Sequence, residues 1–131
     1  MTTELYLLTA SLFLAIVYIL APAAFRTRET GREYNMSARD EQGPPVGLVT
    51  GRLQRAQKNF YETFPLFIAA VLIAHIADKT GTLTLTGSWL YLVARIVYLP
   101  LYAIGQGPFR SLCWVLSMLG LLLILVALLM S

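Results

Sequence analysis

The sequence has a single cysteine, Cys113, and a single histidine, His75. One cysteine excludes an internal disulfide, and no Cys/His spacing suits a metal site, so no metal is expected. Cys113 lies early in an apolar run with no helper base near it, which fits a buried inert thiol better than a nucleophile. His75 is equally isolated and reads as a core or interface histidine rather than a catalytic one. Charge is scarce too: 13% of residues are charged against 57% hydrophobic. That balance excludes an ordinary soluble domain, and 131 residues leave room for one domain only.

In place of charge the chain carries long apolar runs, Leu5–Phe25, Phe60–Ala77, Leu83–Ile104 and Leu112–Met130. Each is about 18–22 residues, enough for a helix to cross a hydrocarbon core of about 30 Å. In lipid the backbone must satisfy its own polar groups, which leaves helices as the form to expect. The expected fold is therefore all-α, an integral membrane four-helix bundle forming a single domain over residues 1–131. Its helices are expected over about 3–26, 48–78, 82–105 and 109–130, with a loop over about 27–47. That loop is polar and rich in Gly and Pro, and is expected to be irregular with room for a short helical turn. Thr50 or a residue nearer Val46 is expected to start the second long helix.

Ala21-Pro22-Ala23 resembles a signal-peptide cleavage site, but Glu4 stands where a signal peptide wants a basic residue. The first run is read as a retained anchor. Arg26, Arg28, Arg32, Arg39, Arg52, Arg55 and Lys58 all fall between the first and second runs, and Arg110 between the third and fourth. The positive-inside rule then puts these two connections in the cytoplasm and both termini on the other side. The basic residues flank membrane segments and accompany no soluble domain. They are expected to meet membrane lipids rather than nucleic acid.

Against this apolar background a polar stripe stands out. Arg52, Arg55, Asn59 and Glu62 step by three, four and three residues, sharing an arc of about 80° on the second long helix. Arg95, Tyr98 and Tyr102 share one face of the third, and Arg110, Ser111 and Trp114 open the fourth. Pro65 and Pro100 are expected to kink their helices. A charge at the centre of a bilayer costs about 2.5–3.5 kcal/mol on insertion scales, so such residues pair, face the bundle interior or hold a ligand. Two readings fit. Asn59, Glu62 and Arg95 can form an interhelical clamp, or the stripe can bind a small ligand carrying more than one carboxylate, which Arg takes bidentately. Arg110 and Ser111, in the positive field of a helix N-terminus, would lower the pKa of a bound thiol. Trp114 and Trp89 also read as interfacial anchors, and Tyr98 and Tyr102 as packing aromatics. A transporter is a weaker third reading for an intramembrane Glu62.

The pattern Arg52-x-x-Arg55-Ala56-x-x-Asn59-x-x-Glu62-Thr63-x-Pro65 resembles the second-helix signature of the MAPEG family, the membrane-associated proteins in eicosanoid and glutathione metabolism. Arg95-x-x-Tyr98-x-x-x-Tyr102 followed by Arg110-Ser111 resembles its third- and fourth-helix signature. The resemblance covers essentially the whole chain and is nearest to bacterial members of the glutathione-transferase type. It implies a homotrimer in an inner or plasma membrane, with glutathione as cofactor bound between protomers near the cytoplasmic face. It further implies a lipophilic small-molecule substrate, either an electrophile or a lipid hydroperoxide. By position, Lys58, Asn59 and Glu62 would hold glutathione from one protomer, with Arg55 and Arg95 in the same polar stripe. Tyr98, Tyr102, Arg110, Ser111 and Trp114 would complete the site from the other. Arg26 or Arg28 would reach a glutathione carboxylate, and Arg110 and Ser111 would be catalytic, acting on the sulfur. Lys58 stands where several members carry Arg, Tyr98 where some carry His and Trp114 where the prostaglandin-synthesising branch carries Tyr. These departures argue against a specific eicosanoid reaction. The alternative is a non-enzymatic, lipid-binding trimeric scaffold of the same fold.

Overall fold

Apolar runs that cannot leave backbone groups unpaired in lipid become helices, and the computed structural model of the protein, which describes residues 1–130, contains five. They are α1 (Thr3–Thr30), α2 (Arg32–Met36), α3 (Leu48–Ile76), α4 (Thr82–Ala103) and α5 (Pro108–Leu129). Four are long and apolar enough to cross a membrane. The described residues are all-helical with no strand. The short α2 is the helical turn expected in the polar loop, while α1 runs on through Thr30 into the stretch expected to be loop.

The polar loop is held at both ends. Gly31, at φ +83°, ends α1 by donating its N–H to the Thr27 carbonyl, a left-handed conformation that glycine adopts without a Cβ penalty. Glu29 then reaches the start of α3, accepting from the Gly47 N–H at 3.1 Å and the Thr50 hydroxyl at 2.6 Å. Thr50 thus lies inside α3 and does not cap it. The cap is a carboxylate from α1, placed where a helix N-terminus favours negative charge.

The helices pack through a spine of aromatics on α3 and through close backbone contact. Phe60 stacks on Tyr18 of α1 at 4.2 Å between ring centroids and on Phe64 at 4.7 Å, and Phe67 stacks on Tyr91 of α4 at 4.2 Å. Helices α4 and α5 run closest, at Gly87 and Gly120. A Cβ on Gly120 would lie 2.6 Å from the Gly87 carbonyl oxygen, and one on Gly87 would collide with the Gly120 carbonyl. Small residues at such crossings let membrane helices gain dispersion contacts that lipid tails cannot supply.

Pro22 lies within α1 and removes the N–H that would bond the Tyr18 carbonyl. Gln57 of α3 donates its Nε2 to that carbonyl at 3.0 Å, so the break becomes a tie between α1 and α3. Gly105, at φ +79°, ends α4, and Arg52 donates to the half-buried Ala103 carbonyl there at 3.3 Å. Arg52, the first member of the polar stripe, is therefore a helix C-cap.

Candidate active site

Three helices bring their polar residues to one groove of about 310 Å³. Asn59 comes from α3, Tyr98 and Tyr102 from α4, and Arg110, Ser111 and Trp114 from the first two turns of α5. Pro108 is the first residue of α5, where its missing N–H costs no hydrogen bond, and Gln106 caps the same turn by accepting from the Phe109 N–H at 2.8 Å. Arg110 and Ser111 consequently stand at the positive end of α5. The Arg110 guanidinium carbon lies 4.5 Å from the Tyr102 ring centroid, and that of Arg55 lies 5.9 Å from the same ring. Tyr98 meets Tyr102 edge to face at 5.6 Å. None of the Tyr98, Tyr102, Arg110, Ser111 or Trp114 side chains donates or accepts a hydrogen bond through its own polar atoms among the described residues.

Arg95 does not line this groove. It is 0% exposed, donating Nη1 to Asn59 Oδ1 at 2.8 Å and Nη2 to Thr63 Oγ1 at 3.1 Å. Its guanidinium carbon lies 4.9 Å from the Tyr98 ring centroid and 5.7 Å from that of Tyr91. Thr63 also meets the Tyr91 hydroxyl at 2.9 Å, and Tyr18 donates to the Arg95 carbonyl at 2.7 Å. Because Asn59 turns its oxygen to Arg95, its Nδ2 donors are left for the groove. Arg95 thus holds Asn59 and packs against Tyr98 without reaching the groove itself. The one buried side-chain atom without a partner among the described residues is Arg95 Nε.

Glu62 is the clearest departure from the clamp. It is exposed on α3 and forms no ion pair with Arg95. The clamp closes instead through Asn59 and Thr63. Lys58 and Arg55 line a separate outward cleft beside the start of α3. Arg26 faces the polar loop, donating to the Pro44 carbonyl at 2.6 Å, the Pro45 carbonyl at 3.3 Å and Glu29 at 2.9 Å. Arg28 is exposed over the Phe25 ring. Of the residues singled out in sequence, then, Asn59, Tyr98, Tyr102, Arg110, Ser111 and Trp114 meet within the single chain. Lys58, Glu62, Arg26 and Arg28 do not join them. Thr63, Tyr91 and Tyr18 support the site without having been singled out for it. The available signal was their spacing: Thr63 is one turn beyond Asn59, and Tyr91 one turn before Arg95.

In its chemistry the groove offers a guanidinium, a second guanidinium at its edge, three hydroxyls and an amide donor, against apolar ring faces. That donor set suits an anion with an attached apolar portion. No carboxylate is among the residues that line the groove. The model of the MAPEG family matches residues 5–130, nearly the whole chain. No curated protein and no solved structure matches it.

Proposed function

The chain belongs to the MAPEG family, and from that premise we propose that it is a glutathione-dependent membrane transferase with peroxidase capacity toward lipid hydroperoxides. Membership makes it an integral membrane protein related to glutathione or eicosanoid metabolism; the particular reaction is our reading of the groove. The observation that carries it is the placement of Arg110 and Ser111 at the N-terminal turn of α5, their polar atoms unpaired and facing Asn59, Tyr98 and Tyr102. When bound, glutathione supplies a thiol sulfur as nucleophile or reductant. Arg110 and the α5 N-terminus favour the anionic form of a thiol placed beside them. Ser111 and the tyrosine hydroxyls donate to a sulfur or carboxylate. The ring of Trp114 and the side chain of Val115 give the groove an apolar side for a lipophilic substrate. Rate enhancement then comes from orientation and a fixed electrostatic field.

Two features support a homotrimer with sites shared between protomers. Glu62 is exposed three residues from Asn59 at the start of an apolar stretch, where a carboxylate facing lipid is unfavourable. The groove, for its part, lacks the carboxylate that a glutathione ammonium requires. A neighbouring copy that brings Glu62 and Lys58 to the groove satisfies both. The basic connections, and with them the groove, face the cytoplasm in this reading. Ultraviolet difference absorbance of the purified protein titrated with glutathione tests it. A saturable thiolate band, lost in Arg110→Ala, is expected. Absence of both the band and any stabilisation by glutathione would replace this reading with the lipid-binding scaffold.

A further inference from the structure

Behind the groove, between α3 and α4, Thr63 and Tyr91 are both buried and their hydroxyls meet at 2.9 Å. The Tyr91 ring stacks on Phe67 at 4.2 Å between centroids, so packing sets the place of its hydroxyl. Neither residue lines the groove.

The direction of each hydrogen bond in this cluster follows from counting hydrogens. Arg95 can only donate, and its Nη2 gives one hydrogen to Thr63 Oγ1 at 3.1 Å. The Tyr91 hydroxyl has no partner but Thr63 among the described residues. Were Thr63 the donor of that pair, the buried phenol hydrogen would have no acceptor, which is costly in an apolar interior. Tyr91 therefore donates to Thr63, and Thr63 turns its own hydrogen to the Phe60 carbonyl, 3.4 Å away. Thr63 Oγ1 thus receives two donors, one from Tyr91 and one from Arg95. The other arm of the Arg95 fork, Nη1, is held by Asn59 Oδ1 at 2.8 Å. A primary amide presents either its oxygen or its nitrogen to a neighbour. Here a guanidinium, which accepts nothing, takes the oxygen, and Asn59 faces the groove with hydrogens to give.

We propose that Tyr91 and Thr63 are positioning residues that, acting through Arg95, fix Asn59 as a hydrogen-bond donor in the groove. They thereby select, at that point of the ligand, an acceptor such as a carboxylate or a peptide carbonyl. With glutathione as the ligand, that selection rests on the reading of the groove as a glutathione site. The orientation of Asn59 does not, because every bond that sets it lies within the protein.

The chain has two asparagines, Asn35 and Asn59, so isotopic labelling of asparagine nitrogen gives two side-chain amide signals by nuclear magnetic resonance in detergent. Tyr91→Phe keeps the ring and its stack and removes only the hydroxyl. Thr63→Val removes the acceptor at similar volume, and Thr63→Ser keeps it. Without ligand, the Asn59 amide signal is expected to move in Tyr91→Phe and in Thr63→Val and to stay near its place in Thr63→Ser. A signal unmoved in the first two, or moved as far in Thr63→Ser, would overturn the proposal. Glutathione affinity, read from thermal stabilisation, is expected to fall about threefold in Tyr91→Phe and about tenfold in Thr63→Val, the scales of a neutral and a charge-assisted hydrogen bond. The pH midpoint of the thiolate band should hold in both, because Arg110 and the start of α5 are untouched. A moved Asn59 signal with undiminished affinity would overturn the selection of an acceptor. Should the unaltered protein bind no glutathione, the glutathione reading of the groove falls, and the Asn59 signal alone upholds or overturns the positioning role.

Discussion

The two ends of the bundle differ in how completely their polar residues are paired. At the end away from the basic loop they are joined to protein. The Thr84 hydroxyl donates to the buried Glu4 carboxylate at 2.8 Å and accepts from the Gly81 N–H, tying α1 to the start of α4. Lys79 donates to the Leu128 and Met130 carbonyls at 3.0 and 2.8 Å, closing the last turn of α5. At the loop end, Arg110, Ser111, Tyr98 and Tyr102 converge on one groove with their polar atoms unpaired. An unpaired polar group at a membrane interface is tolerated where water or a ligand reaches it, so the contrast separates groups that hold the fold from groups available to a ligand.

Substitutions at each end can break or sharpen this contrast. The largest effect is expected for Arg110→Ala, which removes the one guanidinium at the α5 N-terminus. Turnover of a lipophilic electrophile with glutathione should fall by about 10²–10³-fold, the scale of losing one preorganised charge-stabilising donor. The thermal midpoint in detergent should stay near that of the unaltered protein; a large drop would mean that Arg110 belongs to the fold. Asn59→Leu comes next, because it leaves the buried Arg95 with a second unpaired nitrogen. Loss of a hydrogen bond to a charged group predicts a destabilisation of about 1.5–3 kcal/mol, read from denaturant unfolding in mixed micelles.

Gly87→Val is expected to cost about 1–3 kcal/mol by forcing α4 away from α5. Its glutathione affinity should change as well, since Tyr102 and Arg110 approach the groove from those two helices. Unchanged affinity would show that the groove does not depend on the glycine crossing. Glu62→Gln should weaken glutathione binding by about tenfold, the scale of a charge-assisted contact, with helix content preserved. Should it dissociate the oligomer without altering the affinity of the assembled form, Glu62 would belong to the interface alone. The smallest effect is expected for Lys79→Met, about 0.3–1 kcal/mol from the lost α5 cap. It should leave the thiolate band intact, and a change in that band would deny the independence of the two ends.

Much of the architecture was legible in the sequence because it is local. Run length and the three-and-four residue spacing specify the membrane helices and the shared faces of Asn59 with Glu62 and of Arg95 with Tyr98 and Tyr102. The closeness of Arg110 and Ser111 to a helix start was also legible, since Gly107 and Pro108 mark the boundary. The continuation of α1 through Thr30 was not, because Glu29 there is stabilised by Gly47 and Thr50, residues remote in sequence.

The stripe on α3 shows where local information ends. An arc of about 80° is narrow on a helical wheel, yet its four members go to four places. Arg52 caps α4, Arg55 approaches Tyr102 from the groove edge, Asn59 holds Arg95 and Glu62 faces outward. The sequence by itself determined that these side chains share a face and that a membrane chain must find partners for them. Only the tertiary structure decided which partners. The rotation of α3 against α4 follows from the Phe60 and Phe67 stacks, the Gln57 tie to α1 and the glycine crossing of α4 with α5. Those contacts lie between helices, and the spacing within one helix carries no information about them.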